Sequence, residues 1–351
     1  MGVGMAAGFR LVRALSPGDV GSRVVVRRTL PGGGAGDVLG ELVSYDDQRL
    51  AVRTRDGAVV EVAQADVLAG KPVPPPPAPR RGRGGAGTAP AVTSAEIAEV
   101  ERANADGWAP FETAELGGWL LRAGGGFTGR ANSVLPLGDP GLPLDEALER
   151  VAQWYAERGI RPRFQLPLPL AADLADALEA RGWRRVDDSL VLTAPLDTVL
   201  ARTADLVAAA AGRGAPAPPP VDLADTPSEA WLSLYHYRGG DLPPVARQLL
   251  VTARTRAFAT ASEDGAAVAV GRVAVSGRWA GVTAMEVAPH ARRRGLAAHV
   301  LGALGGWAGE RGADAVYLQT MATNEPALAL YRRLGFTMHH PYHYRWAPER
   351  P

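Results

Sequence analysis

Val287-Ala288-Pro289-His290-Ala291-Arg292-Arg293-Arg294-Gly295-Leu296-Ala297 decides the reading of this 351-residue chain. The apolar run ending at Val287 predicts a strand. The arginines and Gly295 predict a tight basic loop, and Leu296 onward predicts a helix. That arrangement aims free backbone N–H groups and a helix N-terminus at one point, a cradle suited to a pyrophosphate. The helix is expected from about Leu296 to Arg311, with Leu296, Val300, Leu304 and Trp307 as its apolar stripe. Gly302, Gly305, Gly306 and Gly309 form a second stripe. Each glycine costs about 1 kcal/mol against alanine inside a helix, so a close neighbour is expected on that face, the other half of the chain being one choice.

Downstream, Ala315 to Thr320 reads as a strand and Asn324 stands where a helix N-cap belongs. Tyr331 lies two turns later, so the two side chains share a face roughly 10 Å apart. Leu334-Gly335-Phe336 closes the segment. Arg292-x-x-Gly295-x-Ala297 together with Asn324, Tyr331 and Leu334-Gly335-Phe336 resembles the acetyl-CoA site of the GCN5-related N-acetyltransferases, the GNAT superfamily. The resemblance implies an α/β (α+β) GNAT fold and direct acetyl transfer from acetyl-CoA to a primary amine. It implies that Arg292, Arg293, Arg294, Gly295, Leu296 and Ala297 hold the diphosphate, and that Asn324 meets the pantetheine arm. Backbone groups of Met285 and Val287 would bond the pantetheine and the acetyl carbonyl. Tyr331 would protonate the departing thiolate. Some relatives carry a glutamate base where Gln319 stands, and glutamine cannot take a proton. Glu286, a carboxylate in the apolar strand Thr283 to Val287, is the replacement base; a structural ion pair or a water relay are the alternatives.

The same pattern occurs twice. Trp154-Tyr155-Ala156-Glu157-Arg158-Gly159 matches Trp307-Ala308-Gly309-Glu310-Arg311-Gly312. Gly182-Trp183 matches Gly335-Phe336, and Val134-Leu135-Pro136 matches Val287-Ala288-Pro289. All three sit at one spacing, 153 residues (307 − 154), without gaps. Two copies of one fold are therefore expected, at 93–200 and 222–350, with 201–221 as a linker because Ala208 to Pro220 is rich in Ala, Gly and Pro. Asp139 stands where Arg292 does, Leu142 for Gly295, Ala171 for Asn324 and Leu178 for Tyr331. An acid repels a diphosphate and leucine donates no proton. The first copy is thus degenerate, left to shape the acceptor pocket or to support its partner.

Before the copies, residues 13–71 read as an all-β SH3-like barrel. Ser22 to Arg27, Val38 to Tyr45, Arg49 to Thr54 and Ala58 to Val62 are strands. Asp46-Asp47 and Asp56-Gly57 are turns, the second a hairpin signal. The module suits a docked protein partner. Nucleic acid is not expected, since Tyr45 is the only aromatic in those strands. Residues 72–92 form a linker, stiff through Pro74 to Pro77 and basic through Arg80 to Arg83. In the two-copy region, Ser94 is expected to cap a helix to Asp106, with further helices at Leu144 to Arg158, Ala171 to Arg181 and from Pro227 to Tyr237.

Composition narrows the chemistry. The chain has no cysteine, which excludes an acyl-Cys intermediate, thiolate metal ligands and disulfides. His339, His340 and His343 make no convincing ligand set, so no metal is expected. A net charge of +1 calls for neither nucleic acid nor anionic membrane. No run approaches the roughly 18 apolar residues of a membrane helix, and the start has no leader-like core, so a cytoplasmic location is expected.

The layout of a small barrel plus two copies also resembles an actinobacterial group to which N-acetylglutamate synthase activity is ascribed, through Trp119-Leu120-Leu121-Arg122 and Gly129-Arg130-Ala131-Asn132-Ser133-Val134. If glutamate is the acceptor, its carboxylates need cations. Arg130, Arg238 and Arg272 are the candidates, with Asn132, Ser133 and Gln319 as further polar contacts. The rivals are an acetyltransferase for another small amine or a protein N-terminus, and a non-catalytic acetyl-CoA sensor. The sequence leaves the acceptor and the oligomeric state open.

Overall fold

The computed structural model describes residues 15–29, 35–54, 58–72, 92–236 and 242–349. The expected hairpin turn Asp56-Gly57, nearly all of the linker at 72–92, and Arg238 lie outside these residues. The chain divides into two compact units, Met1–Thr88 and Ala89–Pro351.

The first unit is a small curled antiparallel β half-barrel of β1 (Arg23–Thr29), β2 (Ala35–Tyr45), β3 (Arg49–Thr54), β4 (Val59–Ala63) and β5 (Val67–Pro72), in the order β4-β3-β2-β1-β5. Alternation drives it: Val24, Val26, Leu42, Leu50 and Val52 turn inward and are buried together. The Asp46 carboxylate accepts from the N–H groups of Gln48 and Arg49, which closes the expected turn and holds that carboxyl below the usual range.

The second unit opens with α1 (Ser94–Gly107). Its N-cap is Thr93 rather than Ser94: Thr93 Oγ1 accepts from Glu96 N–H while Glu96 accepts from Thr93 N–H, a reciprocal capping box. The first copy follows as β6 (Glu112–Leu116), β7 (Trp119–Ala123), β8 (Leu135–Pro136), α2 (Leu144–Ala156), β9 (Arg163–Pro167), α3 (Ala172–Ala180) and β10 (Arg184–Pro195). Helix α4 (Leu196–Ala211) and β11 (Val221–Ala224) lead into the second copy. That copy contains α5 (Glu229–Leu234), α6 (Pro244–Leu250), β12 (Arg256–Glu263), β13 (Ala266–Ser276), β14 (Trp279–Val287), α7 (Leu296–Gly309), β15 (Ala315–Met321), α8 (Glu325–Arg333) and β16 (Thr337–Trp346).

The repeat is visible in these elements, because α2 and α7, β9 and β15, α3 and α8, and β10 and β16 start at the spacing found in the sequence, within a residue. The two last strands are exchanged. β10 of the first copy pairs with β15 of the second, β16 of the second pairs with β9 of the first, and β10 and β16 run antiparallel to each other. The result is one eight-stranded sheet, β11-β12-β13-β14-β15-β10-β16-β9, with β6-β7-β8 as a separate three-stranded sheet.

The expected linker at 201–221 is corrected by α4. Alanine is the best helix former, and the prolines that end the segment begin only at Pro216. α4 runs antiparallel along the glycine stripe of α7. A Cβ at Gly302 would lie 3.0 Å from Thr203 Oγ1, and one at Gly305 would lie 3.1 Å from Leu200 and 3.2 Å from Leu196. The close neighbour expected on that stripe is therefore the helix that follows the first copy.

Candidate active site

β14 and β15 pair in parallel from Trp279 with Ala315 to Val282 with Leu318, and no further. Beyond that point the strands separate. The cause is partly local: between Arg272–Thr283 and Val270–Glu286 the register slips, so two residues of β14, Ala284 and Met285, oppose one of β13. Ala284 takes a left-handed φ of 54° there. A bulge of this kind bends the strand and re-aims its backbone groups.

The gap opens into a cavity of about 630 Å³. Val282 to Met285 form one wall and Leu318 to Met321 the other, with Asn324 and Tyr331 of α8 also lining it. Tyr342 and Tyr344 come from β16, and Tyr235 and His236 from the end of α5. The first copy supplies Gly126, Thr128, Gly129 and Arg130, Arg163 of β9, and Asp187 and Ser189 of β10. Of the two roles left open for the degenerate copy, its residues do form part of the pocket.

At the basic loop, Arg293 and Gly295 both adopt left-handed conformations, φ 63° and 83°, and Gly295 is the N-cap of α7. His299 N–H donates to the Gly295 carbonyl at 3.0 Å, which leaves the N–H groups of the helix's first turn pointing out of its end. Arg292 and Arg293 are exposed, while Leu296 is buried and offers only its backbone. This donor set fits a diphosphate. A Cβ at Gly295 would meet α4, 3.2 Å from Ala210 Cβ, so glycine serves the positive φ and helix packing. Arg294 is corrected outright: both of its terminal nitrogens bond Glu263 of β12, with Nη1 to Oε2 at 2.9 Å. That pairing holds the Glu263 carboxyl below its usual range and ties the loop to the sheet.

Asn324 caps α8, its side chain accepting from Ala327 N–H at 3.4 Å. Tyr331 packs edge-on against Phe336, ring centroids 5.7 Å apart, and burial pushes its phenol up to about 12. Met285 stands on the bulge. Val287 pairs with Ala269 of β13, and its carbonyl accepts from Arg292 Nε at 3.3 Å, so that oxygen already has a partner. Glu286 is half-buried but does not line the cavity. Burial raises its carboxyl above the usual range, against the pull of Arg292 and His236.

The proposed acceptor ligands divide sharply. Arg130 lines the cavity, lies over the Trp108 ring at 5.1 Å and reaches Gln319 Oε1 at 3.4 Å. Gln319 also accepts from Tyr342 OH at 3.1 Å, while its Nε2 is buried without a partner. Arg272 is corrected. It is wholly buried, donates to the carbonyls of Leu250 (2.9 Å) and Gly107 (2.8 Å), and stacks 4.9 Å from Trp108. Burial lowers its guanidinium to about 10. Asn132 and Ser133 are corrected too. Asn132 folds the 124–128 loop, accepting from Gly124 and Gly126 N–H and donating to Phe127 and Thr128 carbonyls. Ser133 joins Arg122 to the Gly129 carbonyl. His236 and Asp187 were not singled out in the sequence, where nothing local marks them; only the fold brings them to the cavity.

The first copy's cleft differs as its residues foretell. Val134 N–H donates to the Arg163 carbonyl and Val134 C=O accepts from Gln165 N–H, both at 2.9 Å. Those bonds hold together strands whose second-copy equivalents have parted. What remains is a recess of about 460 Å³ lined by Trp119, Leu142, Leu144, Leu174, Asp139 and Asp173 among others.

Comparison with known proteins follows this geometry. The profile of the family described as "Probable histone acetyltransferase Rv0428c C-terminal" matches residues 94–345, and "Rv0428c N-terminal Sm-like domain" matches residues 18–71. The Mycobacterium tuberculosis protein named "Probable histone acetyltransferase Rv0428c" is 33% identical over 344 residues, covering 94% of this chain and 95% of its own. The chain belongs to that family. The Bacillus subtilis protein named "Uncharacterized N-acetyltransferase YobR" is 27% identical over 256 residues, covering 71% of this chain and 98% of its own. A solved GCN5-related N-acetyltransferase from Kribbella flavida is 17% identical, covers 72% of this chain and 96% of its own, and has a TM-score of 0.49. The chain is an N-acetyltransferase of the GNAT fold, with an Sm-like, SH3-like domain ahead of two copies of that fold. No helix among the described residues is long and apolar enough to cross a membrane.

Proposed function

We propose that the enzyme transfers the acetyl group of acetyl-CoA directly to the primary amine of a small, carboxylate-bearing acceptor, L-glutamate being the member of that class we favour. The observation that carries this reading is the parting of β14 and β15 above a cavity whose wall bears Arg130 of the first copy. Arg130 and the unpaired Nε2 of Gln319 are donors suited to a carboxylate. The first-turn N–H groups of α7, with Arg292 and Arg293, take the diphosphate, and Asn324 meets the pantetheine arm. The bulge at Ala284 and Met285 turns backbone donors toward the acetyl carbonyl, where charge builds as the amine attacks. Tyr331, its phenol pushed up to about 12 by burial, stays protonated across the physiological range and donates to the departing sulfur. Glu286, off the cavity, is not the group that touches the amine in this reading.

A protein lysine or N-terminus is the second reading, favoured by the name of the mycobacterial relative. The cationic groups in the cavity weigh against a lysine-rich acceptor. Thiol release from acetyl-CoA, followed with a panel of amino acids, other small amines and histone-tail peptides, separates the two. Turnover with glutamate above other amino acids is expected. Turnover confined to the peptides overturns the small-acceptor reading.

A further inference from the structure

We propose that His236 is the base that takes the proton from the acceptor amine, an assignment that rests on the acyl-transfer reading above. His236 follows α5 and lines the cavity together with Val282 to Met285, the segment of β14 that bears the bulge. Its Nδ1 lies 2.9 Å from the Leu234 carbonyl. A carbonyl only accepts, so Nδ1 carries the hydrogen and Nε2 keeps the lone pair of a neutral imidazole. Among the described residues Nε2 has no partner. The carboxylate of Glu286 interacts electrostatically with this ring while itself standing off the cavity. An imidazolium formed at His236 is therefore met by an anion, the arrangement that supports a histidine base. Glu286 becomes a positioning residue.

The proton balance requires such a group. An ammonium acceptor loses two protons on becoming an amide. As the N–C bond forms, the C–S bond breaks and its electron pair leaves with sulfur. One proton ends on that sulfur, and the other passes to Nε2 and then to solvent. The charged groups around His236 are Glu286 of β14, which interacts with the ring, and Arg130, Arg163 and Asp187 of the first copy, which line the same cavity. Of the lining phenols, Tyr331, Tyr342 and Tyr344 are pushed up by burial and stay neutral.

The test uses the full chain with His236→Gln. In His236→Gln, kcat/KM for amine acetylation is expected to fall about 100- to 10,000-fold. The acidic limb of the pH profile disappears, added imidazole restores part of the rate, and acetyl-CoA binding is unchanged. A variant that keeps both rate and acidic limb overturns the assignment. A second readout needs no turnover: ¹⁵N NMR of the resting protein is expected to show the neutral His236 ring protonated at Nδ1. The opposite tautomer overturns the assignment. Failure of the wild-type enzyme to release thiol with any amine would instead count against the acyl-transfer reading.

Discussion

At the residue scale, Arg130 and Arg272 look alike in the sequence, two arginines flanked by small and apolar residues, yet they have opposite jobs. Arg272 closes the hydrogen bonds of two buried carbonyls. Arg272→Met leaves those acceptors bare at roughly 1–3 kcal/mol each, so urea unfolding should show a large loss of stability, while the folded fraction keeps its KM for the acceptor. Arg130→Met should do the reverse. If Arg130 binds the acceptor carboxylate as proposed, the variant forfeits a charge-assisted contact worth about 1.5–3 kcal/mol, which is about a 10- to 150-fold rise in acceptor KM, and its unfolding midpoint shifts less than that of Arg272→Met. A large loss of stability in Arg130→Met with KM intact would remove it from the site. His343 belongs at this scale too. It is buried on β16 with both ring nitrogens unpartnered, and burial lowers its imidazole to about 4. The unfolded chain takes up this proton near pH 6.5 and the folded chain does not until about pH 4. Stability is therefore complete above pH 6.5 and drains away between there and pH 4, by about 3 kcal/mol at the limit. In His343→Leu, equilibrium unfolding compared at pH 7 and pH 5 should lose that share of the acid sensitivity. Undiminished sensitivity would assign the effect to other groups.

At the element scale, the strand–loop–helix unit around Gly295 and the helix carrying Asn324 and Tyr331 were legible, because periodicity and caps are local signals. α4 was not, because composition alone does not place a boundary: the alanines precede the prolines, and a helix can end where they begin. The glycine stripe of α7 was a truer sign, since glycines in a helix cost stability unless another backbone lies close. The stripe is also uneven. Nothing lies within 4 Å of a Cβ at Gly306, whereas Gly305 faces Leu196 and Leu200. Gly306→Ala should therefore stabilise by about 0.5–1 kcal/mol, and Gly305→Leu should destabilise by about 1–3 kcal/mol through overpacking. Thermal unfolding of the two variants reads the contrast directly. A stable Gly305→Leu protein would mean that α4 does not lie against this face.

At the scale of the whole chain, the repeat was legible and the exchange of last strands was not. Matched residues reveal that a segment recurs, but β10 and β16 are each other's equivalents, so either could close either sheet without changing a single match. The consequence is mechanical. Without β10, the second copy exposes the edge of β15; without β16, the first copy exposes β9. An unpaired internal edge is an aggregation hazard. A buried polar chain adds to the interlock: Arg122 of β7 donates to Gln165 of β9 (2.9 Å), Gln165 to Glu101 of α1 (2.7 Å), and Glu101 meets His340 of β16 at 3.0 Å. Residues 89–351 should therefore melt in a single calorimetric transition whose van't Hoff and calorimetric enthalpies agree. Residues 222–351 expressed alone should be insoluble or should associate. The chain opened between α4 and β11, with both pieces expressed together, should recover one complex that acetylates at near the intact rate. A folded, monomeric 222–351 fragment, or two separated transitions, would show that the copies are independent and that the first is dispensable to the pocket it helps to line.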